Sequence, residues 1–276
     1  MESKLNLSAK SKQALLFDMD GTLTPARKTI DVCMVALLQD LCTVGHLVCV
    51  VSGSPLQYIE QQLLIDKIQW PKNLVLMPCN GTQVCMQNES SNAYDEIYKV
   101  TMSDHLAASS SLLEPHRALV HNILELQLYA MRRYNFSTTG NFVSDRKSMI
   151  NWSMIGRDAS HEVRDAFAIE DFEKGIRKHL RECLRVRLDD SDLHEIDLTL
   201  GGSTSIDIFP KGWDKTYALN HLNPDLIPWF WGDKCQQGGN DHTLWRKLQA
   251  ENRSFEVKSP RDTLVSIQNL TSRGIL

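Results

Sequence analysis

The strongest constraint on the fold is the alternation of short apolar segments with helical segments in the first third of the chain. Residues 14–17, 46–51 and 74–77 are apolar and strand-sized, and helical patterns lie between them at 31–44 and 55–64. A strand–helix–strand–helix–strand order at this spacing predicts a parallel sheet with right-handed crossovers. The sequence therefore predicts an α/β fold.

Three polar segments follow these predicted strands. Asp18 comes directly after the first strand, Ser52 directly after the second, and Asn80 shortly after the third. Because the carboxyl ends of parallel strands meet at one edge of a sheet, ligands of such sheets bind at that edge. The sequence therefore predicts that the three segments converge on one binding site.

The middle of the chain, from residue 87 to residue 209, loses this alternation. Its patterns predict helices at 112–134 and 161–185 and strands at 136–145, 148–154, 193–200 and 203–209, before a helix from Asp214 and a strand at 227–231 restore the α/β pattern. Helices and strands that follow one another without regular strand–helix–strand alternation are typical of an α+β insertion. We therefore predict a discontinuous core domain, 1–86 and 210–276, interrupted by an α+β cap domain at 87–209.

The overall composition argues against several classes of partner and location. A net charge of −4 over 276 residues gives no electrostatic reason to bind nucleic acid or an acidic membrane surface. The longest apolar runs, such as 47–51, are too short to span a membrane, and residues 1–7 lack an apolar secretion signal. Seven cysteines without a CxxC pair favour reduced thiols packed in the core. We expect a soluble, cytoplasmic protein with no nucleic-acid or membrane partner.

Asp18 and Asp20 stand two residues apart where the first strand ends, and Gly21 gives the backbone freedom to turn away. A carboxylate can attack phosphorus to form an aspartyl-phosphate, which divides one displacement into two easier ones. A second carboxylic acid can protonate the leaving oxygen and later activate the incoming hydroxyl. The pair alone would also fit a polar turn, but it belongs to a longer string that includes Thr22 and Thr24. We therefore predict Asp18 as nucleophile and Asp20 as general acid and base.

Further polar residues after the strands could complete a phosphoryl-transfer site. Ser52, in a Ser-Gly-Ser segment that opens a helix, could bind phosphate oxygens with its hydroxyl and the helix N-terminus. Lys215 could neutralise the phosphoryl group, although a solvated helix lysine would look the same. Asp233, followed by Asn240 and Asp241, supplies hard oxygen ligands that suit Mg²⁺, and the alternative is an acidic, glycine-rich turn. Their order along a parallel sheet predicts magnesium-dependent phosphoryl transfer.

These strings resemble a known superfamily and, within it, a known family. The segments around Asp18, Ser52, Lys215 and 233–241 resemble the four motifs of the haloacid dehalogenase (HAD) superfamily. Longer strings are similar to the eukaryotic-type phosphomannomutases: residues 20–31, 80–82, 155–157, 209–215 and 238–241. The similarity covers nearly the whole chain, cap included. It implies an HAD-like, Rossmann-like parallel-sheet core domain with an inserted α+β cap domain.

The resemblance also implies a reaction, a cofactor and a set of binding residues. The reaction would interconvert mannose 6-phosphate and mannose 1-phosphate through an aspartyl-phosphate, primed by a hexose 1,6-bisphosphate, and would feed GDP-mannose synthesis. Mg²⁺ would be held by Asp18, the backbone carbonyl of Asp20, and Asp233. The hexose phosphate would contact the residues at the family's substrate positions, which are Arg27, Arg146, Arg157, Arg164, Ser205 and Asp207. The resemblance further implies a homodimer formed through the cap.

The HAD motifs are shared by phosphatases and mutases, so they leave the reaction open. A mutase must hold a phosphate at each end of the sugar, and guanidinium groups bind the distal phosphate bidentately, so the cap arginines favour the mutase. A sugar-phosphate phosphatase with the same nucleophile is the alternative, and a non-catalytic sugar-phosphate sensor is a third reading. The chain departs from the family at Thr139, where the family has arginine, and at 245–248, where a secondary cation segment is replaced. Selectivity between mannose and glucose phosphates stays open.

Overall fold

The chain forms two units. A computed structural model describes residues 11–88 and 90–276. The first unit combines residues up to Lys99 with Trp213–Leu276, and the second is Val100–Gly212. The described residues form eleven strands and eight α-helices: β1 Gln13–Phe17, α1 Val32–Val44, β2 Leu47–Val51, α2 Leu56–Leu63, β3 Leu74–Met77, β4 Gln83–Gln87, β5 Tyr94–Lys99, α3 Met102–Ser109, α4 Pro115–Arg133, β6 Val143–Asp145, β7 Ile150–Ser153, α5 His161–Lys174, α6 Ile176–Asp190, β8 Ile196–Gly201, β9 Ser205–Pro210, β10 Ile227–Gly232, α7 His242–Gln249, β11 Ser254–Glu256 and α8 Pro260–Ser272. Short 3₁₀ helices follow β3 at Cys79–Gly81 and β9 at Lys215–His221.

The first unit is built on a seven-stranded sheet with the order β11–β10–β1–β2–β3–β4–β5. The strands from β11 to β3 pair in parallel, which confirms the α/β prediction, and β4 and β5 extend the sheet as an antiparallel hairpin. Alternate residues of β1 pack into two hydrophobic clusters. Leu15 and Phe17 join side chains of α1, α2 and α8, whereas Leu16 joins those of α7. Because helices cover both faces of β1, a ligand can bind only near the carboxyl end of the strand.

Local signals set the ends of α1 as the sequence predicts. The side chain of Asp31 caps the first turn, because its Oδ1 accepts a hydrogen bond from the backbone N–H of Cys33 at 2.8 Å. Gly45 ends the helix in the left-handed conformation, with φ of 105°. These two caps place β2 directly after α1, in parallel pairing with β1.

The insertion begins later than the sequence analysis places it. Tyr94–Lys99, which lies beyond the predicted boundary, belongs to the core sheet, because β5 pairs with β4 and β4 pairs with β3. At the other end, β9 continues through Pro210 and the core resumes at Trp213. The predicted boundaries at 87 and 210 thus move to 100 and 213. Pairing between strands depends on a distant partner, which a local hydrophobic pattern does not reveal.

The second unit is an α+β structure, as predicted. Its antiparallel sheet has the order β6–β7–β9–β8, so that β7 and β9 are central. Trp152 of β7 faces α4, because its Nε1 donates to Gln127 Oε1 at 2.7 Å. Successive strand residues point to opposite faces, so Asn151 and Ser153 lie on the other, polar face of β7. That face carries several of the residues predicted to bind substrate.

The segment predicted as one helix at 161–185 is two helices. α5 and α6 are separated by Gly175, which has a φ of 63° and ends α5 in the left-handed conformation. Asp171 stabilises this bend, since it accepts from the backbone N–H of Arg177 at 2.6 Å and from its Nε at 2.8 Å. Similarly, only Val143–Asp145 of the predicted strand at 136–145 is a strand.

Two predictions from composition can be compared with the structure. None of the helices formed by the described residues is long and apolar enough to cross a membrane. All seven cysteines are free thiols, in agreement with the predicted reduced state. Five of them are buried in the core as expected, but Cys33 is exposed and Cys183 is half-buried.

Candidate active site

Asp18 is the first residue after β1, at the carboxyl end of the central core strand. Its backbone N–H donates to the carbonyl oxygen of Trp231 in β10 at 2.9 Å, so the neighbouring strand holds it in place. The turn that follows contains Gly21, with φ of 91°. Behind that turn, Thr263 Oγ1 of α8 donates to the carbonyl oxygen of Thr22 at 2.8 Å. The Asp18 side chain is therefore buried and fixed by its surroundings.

Lys215 brings a buried positive charge to Asp18. Its Nζ donates to Asp18 Oδ1 and to Asp241 Oδ1, the latter at 2.5 Å. Lys215 and Asp241 are both 0% exposed. An unpaired ammonium would be very unfavourable there, so both carboxylates are needed to hold it. Burial by itself would lower the pKa of Lys215, but the carboxylates of Asp18 and Asp241 outweigh burial and raise that pKa.

Three carboxylates cluster around this lysine. One oxygen from each of Asp18, Asp233 and Asp241 lies within 4.8 Å of the others. Burial raises the pKa of the Asp18 carboxyl well above its usual range; Lys215 opposes that rise, whereas Asp241 and Asp233 add to it. The neighbouring Asn240 has a buried Oδ1 with no hydrogen-bond partner among the described residues. Clustered carboxylates with excess negative charge and an unsatisfied amide oxygen fit a hard divalent cation such as Mg²⁺.

Asp20 lies outside this cluster of carboxylates. Its Oδ1 accepts a hydrogen bond from the backbone N–H of Arg27 at 2.7 Å, across the loop that follows β1. Arg27 adopts the left-handed conformation, with φ of 59°, and its side chain is exposed. Asp20 is half-buried, so its carboxyl group can be reached by a solute. Its roles as acid and base, and the metal contact of its carbonyl, stay predictions.

The Ser52 and Asn80 loops are joined, as expected for neighbouring strand ends. The carbonyl oxygen of Ser52 accepts from the backbone N–H of Asn80 at 2.8 Å, and Ser52 Oγ accepts from the backbone N–H of Ser54 at 3.1 Å. Asn80 Nδ2 in turn donates to the carbonyl oxygen of Trp213 at 3.3 Å, two residues before Lys215. The polar segments predicted to converge are thus linked at one edge of the core sheet.

A second group of predicted residues lies on the polar face of β7 and β9. Asn151 joins its members, because its Nδ2 donates to Ser205 Oγ at 2.9 Å and to Asp207 Oδ1 at 2.6 Å. Arg157 Nη1 donates to Asn151 Oδ1 at 2.9 Å. Asn151, Ser205 and Asp207 are all buried. Three residues predicted to bind substrate are therefore connected through one amide side chain.

The other arginines of the predicted set lie in connecting segments of the same unit. Arg146 is in the turn between β6 and β7, and its backbone N–H donates to the carbonyl oxygen of Met149 at 2.8 Å. Arg164 is in the first turn of α5, and both arginines are half-buried. Thr139, which stands where the family has arginine, donates its hydroxyl to the carbonyl oxygen of Ile155 at 3.1 Å. The phosphate-binding roles of Arg146 and Arg164 stay predictions.

Sequence reasoning misses Asn151 and gives Asp241 only a secondary place. Asparagine is uncommon inside strands, so an asparagine in a predicted strand was an available signal for Asn151. Its importance comes from register, because it lies directly opposite Asp207 in the antiparallel pair. Asp241 is important because it accepts a hydrogen bond from Lys215, which also bonds to Asp18 at the end of β1. These contacts join distant parts of the chain, so no local sequence pattern predicts them.

An α/β core whose central strand ends in a buried aspartate, interrupted by an α+β insertion, defines the haloacid dehalogenase-like class of folds. The model of the eukaryotic phosphomannomutase family matches residues 34–273. A phosphomannomutase of Schizosaccharomyces pombe is 32% identical over 272 residues, covering 94% of each chain. A phosphomannomutase of Dendrobium officinale is 34% identical over 257 residues, covering 90% of each chain. The chain belongs to the eukaryotic phosphomannomutase family.

Solved structures of more distant proteins share the fold. The C-terminal domain of C. albicans trehalose-6-phosphate phosphatase has a TM-score of 0.56 at 16% identity, covering 95% of this chain and 93% of that one. Plasmodium falciparum IMP-nucleotidase has a TM-score of 0.60 at 14% identity, covering 95% of this chain and 62% of that one. Identities this low establish a common HAD-like fold and carry no information on substrate.

We predict that Gly21→Ala disrupts the carboxylate cluster. A Cβ atom at residue 21 would lie 2.5 Å from Asp233 Oδ2, so that carboxylate would have to move. Gly140→Ala is a matched control, because Gly140 has φ of 89° and nothing within 4 Å of the added Cβ atom. Both variants should lose about 1–2 kcal/mol of stability through the positive φ. Only Gly21→Ala should weaken Mg²⁺ binding in isothermal titration calorimetry, by about tenfold or more. Equal Mg²⁺ affinity in the two variants would contradict a metal site that includes Asp233.

Proposed function

We propose that the protein is a phosphomannomutase that interconverts mannose 6-phosphate and mannose 1-phosphate. The observation that carries this proposal is the match of residues 34–273 to the eukaryotic phosphomannomutase family. The buried Asp18–Lys215 pair at the end of the core sheet, within a cluster of carboxylates, supports phosphoryl transfer through Asp18. The protein is then an intramolecular phosphotransferase of the isomerase class, and its product mannose 1-phosphate feeds GDP-mannose synthesis.

Asp18 is the nucleophile in this proposal. Lys215 Nζ is bonded to Oδ1, which leaves Oδ2 as the attacking oxygen. Oδ2 takes one phosphoryl group from a hexose 1,6-bisphosphate as the bond from phosphorus to the sugar oxygen breaks, and an aspartyl-phosphate forms. The hydroxyl at C6 of mannose 1-phosphate, or at C1 of mannose 6-phosphate, then accepts this phosphoryl group. The sugar becomes a 1,6-bisphosphate and Asp18 is free again. Return of the other phosphoryl group to Asp18 releases the isomeric monophosphate.

Asp20 moves the proton in each of these transfers. Its carboxyl group protonates the sugar oxygen that leaves when Asp18 is phosphorylated, and its carboxylate later takes the proton of the incoming hydroxyl. The backbone N–H of Arg27 is bonded to Asp20 Oδ1, so Oδ2 is the oxygen that carries the proton. A fixed orientation of this group raises the rate because proton and phosphoryl transfer need correct positioning.

Mg²⁺ is the cofactor that we propose for the core cluster. Asp18, the backbone carbonyl of Asp20 and Asp233 would hold it, with Asn240 and Asp241 beside them. When bound, the ion neutralises the negative charge that develops on the phosphoryl oxygens. Lys215 contributes a positive charge at the same end of β1, because the carboxylates of Asp18 and Asp241 outweigh the effect of burial and raise its pKa.

The substrate is held by two sets of residues in this proposal. Ser52 binds oxygens of the reacting phosphoryl group with its hydroxyl at the start of α2. The second unit recognises the sugar hydroxyls through Ser205 and Asp207. Guanidinium groups have a planar geometry that matches phosphate oxygens, and we propose them as phosphate ligands: Arg27 in the first unit, and Arg146, Arg157 and Arg164 in the second.

We predict that the full chain converts mannose 1-phosphate into mannose 6-phosphate in the presence of Mg²⁺ and a trace of hexose 1,6-bisphosphate. Omission of the bisphosphate should slow the conversion by about tenfold or more, because Asp18 then stays unphosphorylated. Product can be followed by phosphorus NMR. Release of inorganic phosphate without isomerisation would contradict the mutase and identify a phosphatase.

The isosteric change Asp18→Asn should lower kcat by about a thousandfold or more, since it removes the nucleophile while keeping the shape of the side chain. Asp225→Asn, at an exposed site, is the matched control and should retain full activity. Mannose 6-phosphate should still bind to Asp18→Asn. If wild-type protein bound sugar phosphates without transferring the phosphoryl group, the protein would be a sensor.

We predict that Asn151→Leu raises the KM for mannose 1-phosphate about tenfold, because Ser205, Asp207 and Arg157 lose the amide that orients them. Its kcat should change less, since the core cluster is untouched. Ser153→Ala is the control, because Ser153 lies on the same face of β7 and its buried Oγ has no partner among the described residues. An unchanged KM in Asn151→Leu would show that this face does not bind the sugar.

We propose a cytoplasmic homodimer that forms through the second unit. Large apolar side chains are exposed on α4 and α5, with Leu128 at 55%, Ile169 at 63% and Phe172 at 91% of their surface. Exposed apolar side chains of this size are typical of protein contacts. Sedimentation velocity should show a dimer that Phe172→Glu weakens, whereas Val265→Glu in α8 should leave it unchanged. A wild-type monomer at all concentrations would contradict this proposal.

A further inference from the structure

The short helix that carries Lys215 also carries a tyrosine with a specific partner on the core sheet. Tyr217 OH and Tyr98 OH are 2.7 Å apart and form a hydrogen bond in which either can be the donor. Tyr98 is in β5, at the far edge of the sheet from β11. Tyr217 is buried, so few water molecules can replace this partner. The bond therefore connects the lysine helix to an edge strand that has no role of its own in the chemistry.

His221, at the end of the same helix, makes a second connection. Its Nε2 lies 2.7 Å from the carbonyl oxygen of Gly81, so Nε2 carries a proton and donates it. The imidazole also contacts the ring of Tyr98 edge-on, with centroids 4.6 Å apart. His221 is 3% exposed. Tyr98, which is half-buried, and the buried Tyr217 and His221 thus form one aromatic group, which we call the Tyr98 cluster.

The backbone around Gly81 shows how closely the helix is docked. Cys79, Asn80 and Gly81 all have positive φ, with values of 50°, 64° and 88°. A Cβ atom on Gly81 would lie 2.8 Å from the Cα atom of Ala218, so the two backbones touch directly. Non-glycine residues in this conformation are held there by their surroundings. The short helix that carries Lys215 and the Asn80 loop therefore pack in direct contact.

The Tyr98 cluster also lies where the chain leaves and re-enters the core. Tyr98 comes one residue before Lys99, the last residue of the first core segment, and Trp213 is the first residue of the second. The ring of Trp213 is 5.7 Å from that of Tyr217, measured between centroids. The hydroxyl pair thus joins the two chain ends that flank the insertion. Any motion of those ends would otherwise act directly on Lys215, two residues after Trp213.

We propose that Tyr98, Tyr217 and His221 are positioning residues for Lys215. They hold its short helix so that Nζ stays between Asp18 and Asp241 while the chain ends beside the helix move. This inference rests on the proposed function, in which Lys215 stabilises phosphoryl transfer. It assigns the Tyr98 cluster a role in the chemical step and none in binding the sugar.

The hydroxyl pair can be tested with Tyr98→Phe, Tyr217→Phe and the double variant. Loss of one neutral hydrogen bond should lower kcat about three- to tenfold and leave the KM for mannose 1-phosphate within about twofold. The double variant should be no slower than either single variant, because both changes remove the same bond. Tyr94→Phe is the control, since Tyr94 is in the same strand and its hydroxyl donates to the carbonyl oxygen of Leu74 instead. Equal kcat in Tyr98→Phe and Tyr94→Phe, or additive effects in the double variant, would overturn the proposal.

Hydrogen exchange provides a readout that does not depend on activity. Amide exchange in a peptide covering 213–222 should become faster in Tyr98→Phe and Tyr217→Phe, and should match wild type in Tyr94→Phe. Unchanged exchange in the first two variants would overturn the positioning role even if the enzyme is a phosphomannomutase. Conversely, if exchange is faster in these two variants but the wild-type protein transfers no phosphoryl group, the positioning of Lys215 is supported and the proposed function is rejected.

Discussion

The buried ammonium group of Lys215 is the interaction on which the rest of the core site depends. Removing an ion from water costs on the order of several kcal/mol, and only a close partner of opposite charge offsets that cost. Lys215 has two such partners, Asp18 at the end of β1 and Asp241 at the start of α7. The lysine is stable only if both elements stay in place. Substituting Lys215 would leave Asp18 and Asp241 without their positive partner, and substituting either aspartate would leave the lysine with a single carboxylate, so the site and the core fold are coupled.

The same charges explain why the cluster is suited to a cation and to phosphate. With Asp233 included, three carboxylates face one fully buried lysine, and burial together with mutual repulsion raises the pKa of Asp18. A divalent ion would remove that repulsion and allow Asp18 to act as a carboxylate. A second positive charge close to Lys215 then favours the approach of a phosphoryl group, whose oxygens are negative. The excess negative charge of this cluster is thus complementary to the charge of the proposed cation.

The features that could be predicted from the sequence are those encoded locally. Apolar runs predicted β1, β2 and β3, and the helical pattern at 31–44 predicted α1, because each signal lies within a few residues of the structure it determines. The β4–β5 hairpin, the break at Gly175 and the partners of Asn151 were not predicted. The hairpin and the Asn151 contacts depend on pairing across long separations, which one sequence does not report. The break depends on a left-handed glycine that a helical pattern tolerates without showing it.

The division between the two units explains why motifs in the core identify a class and not a reaction. A phosphatase and a nucleotidase share the fold at 16% and 14% identity, so the fold by itself does not specify a reaction. Differences in substrate must then arise where the chains differ, and in this chain the second unit offers a polar sheet face with its own network. Because Asn151 joins Ser205, Asp207 and Arg157, that face cannot lose one member without changing the orientation of the others. A mutase that must recognise two orientations of one sugar needs such a fixed set of donors and acceptors, since loosely held groups would fit each orientation differently.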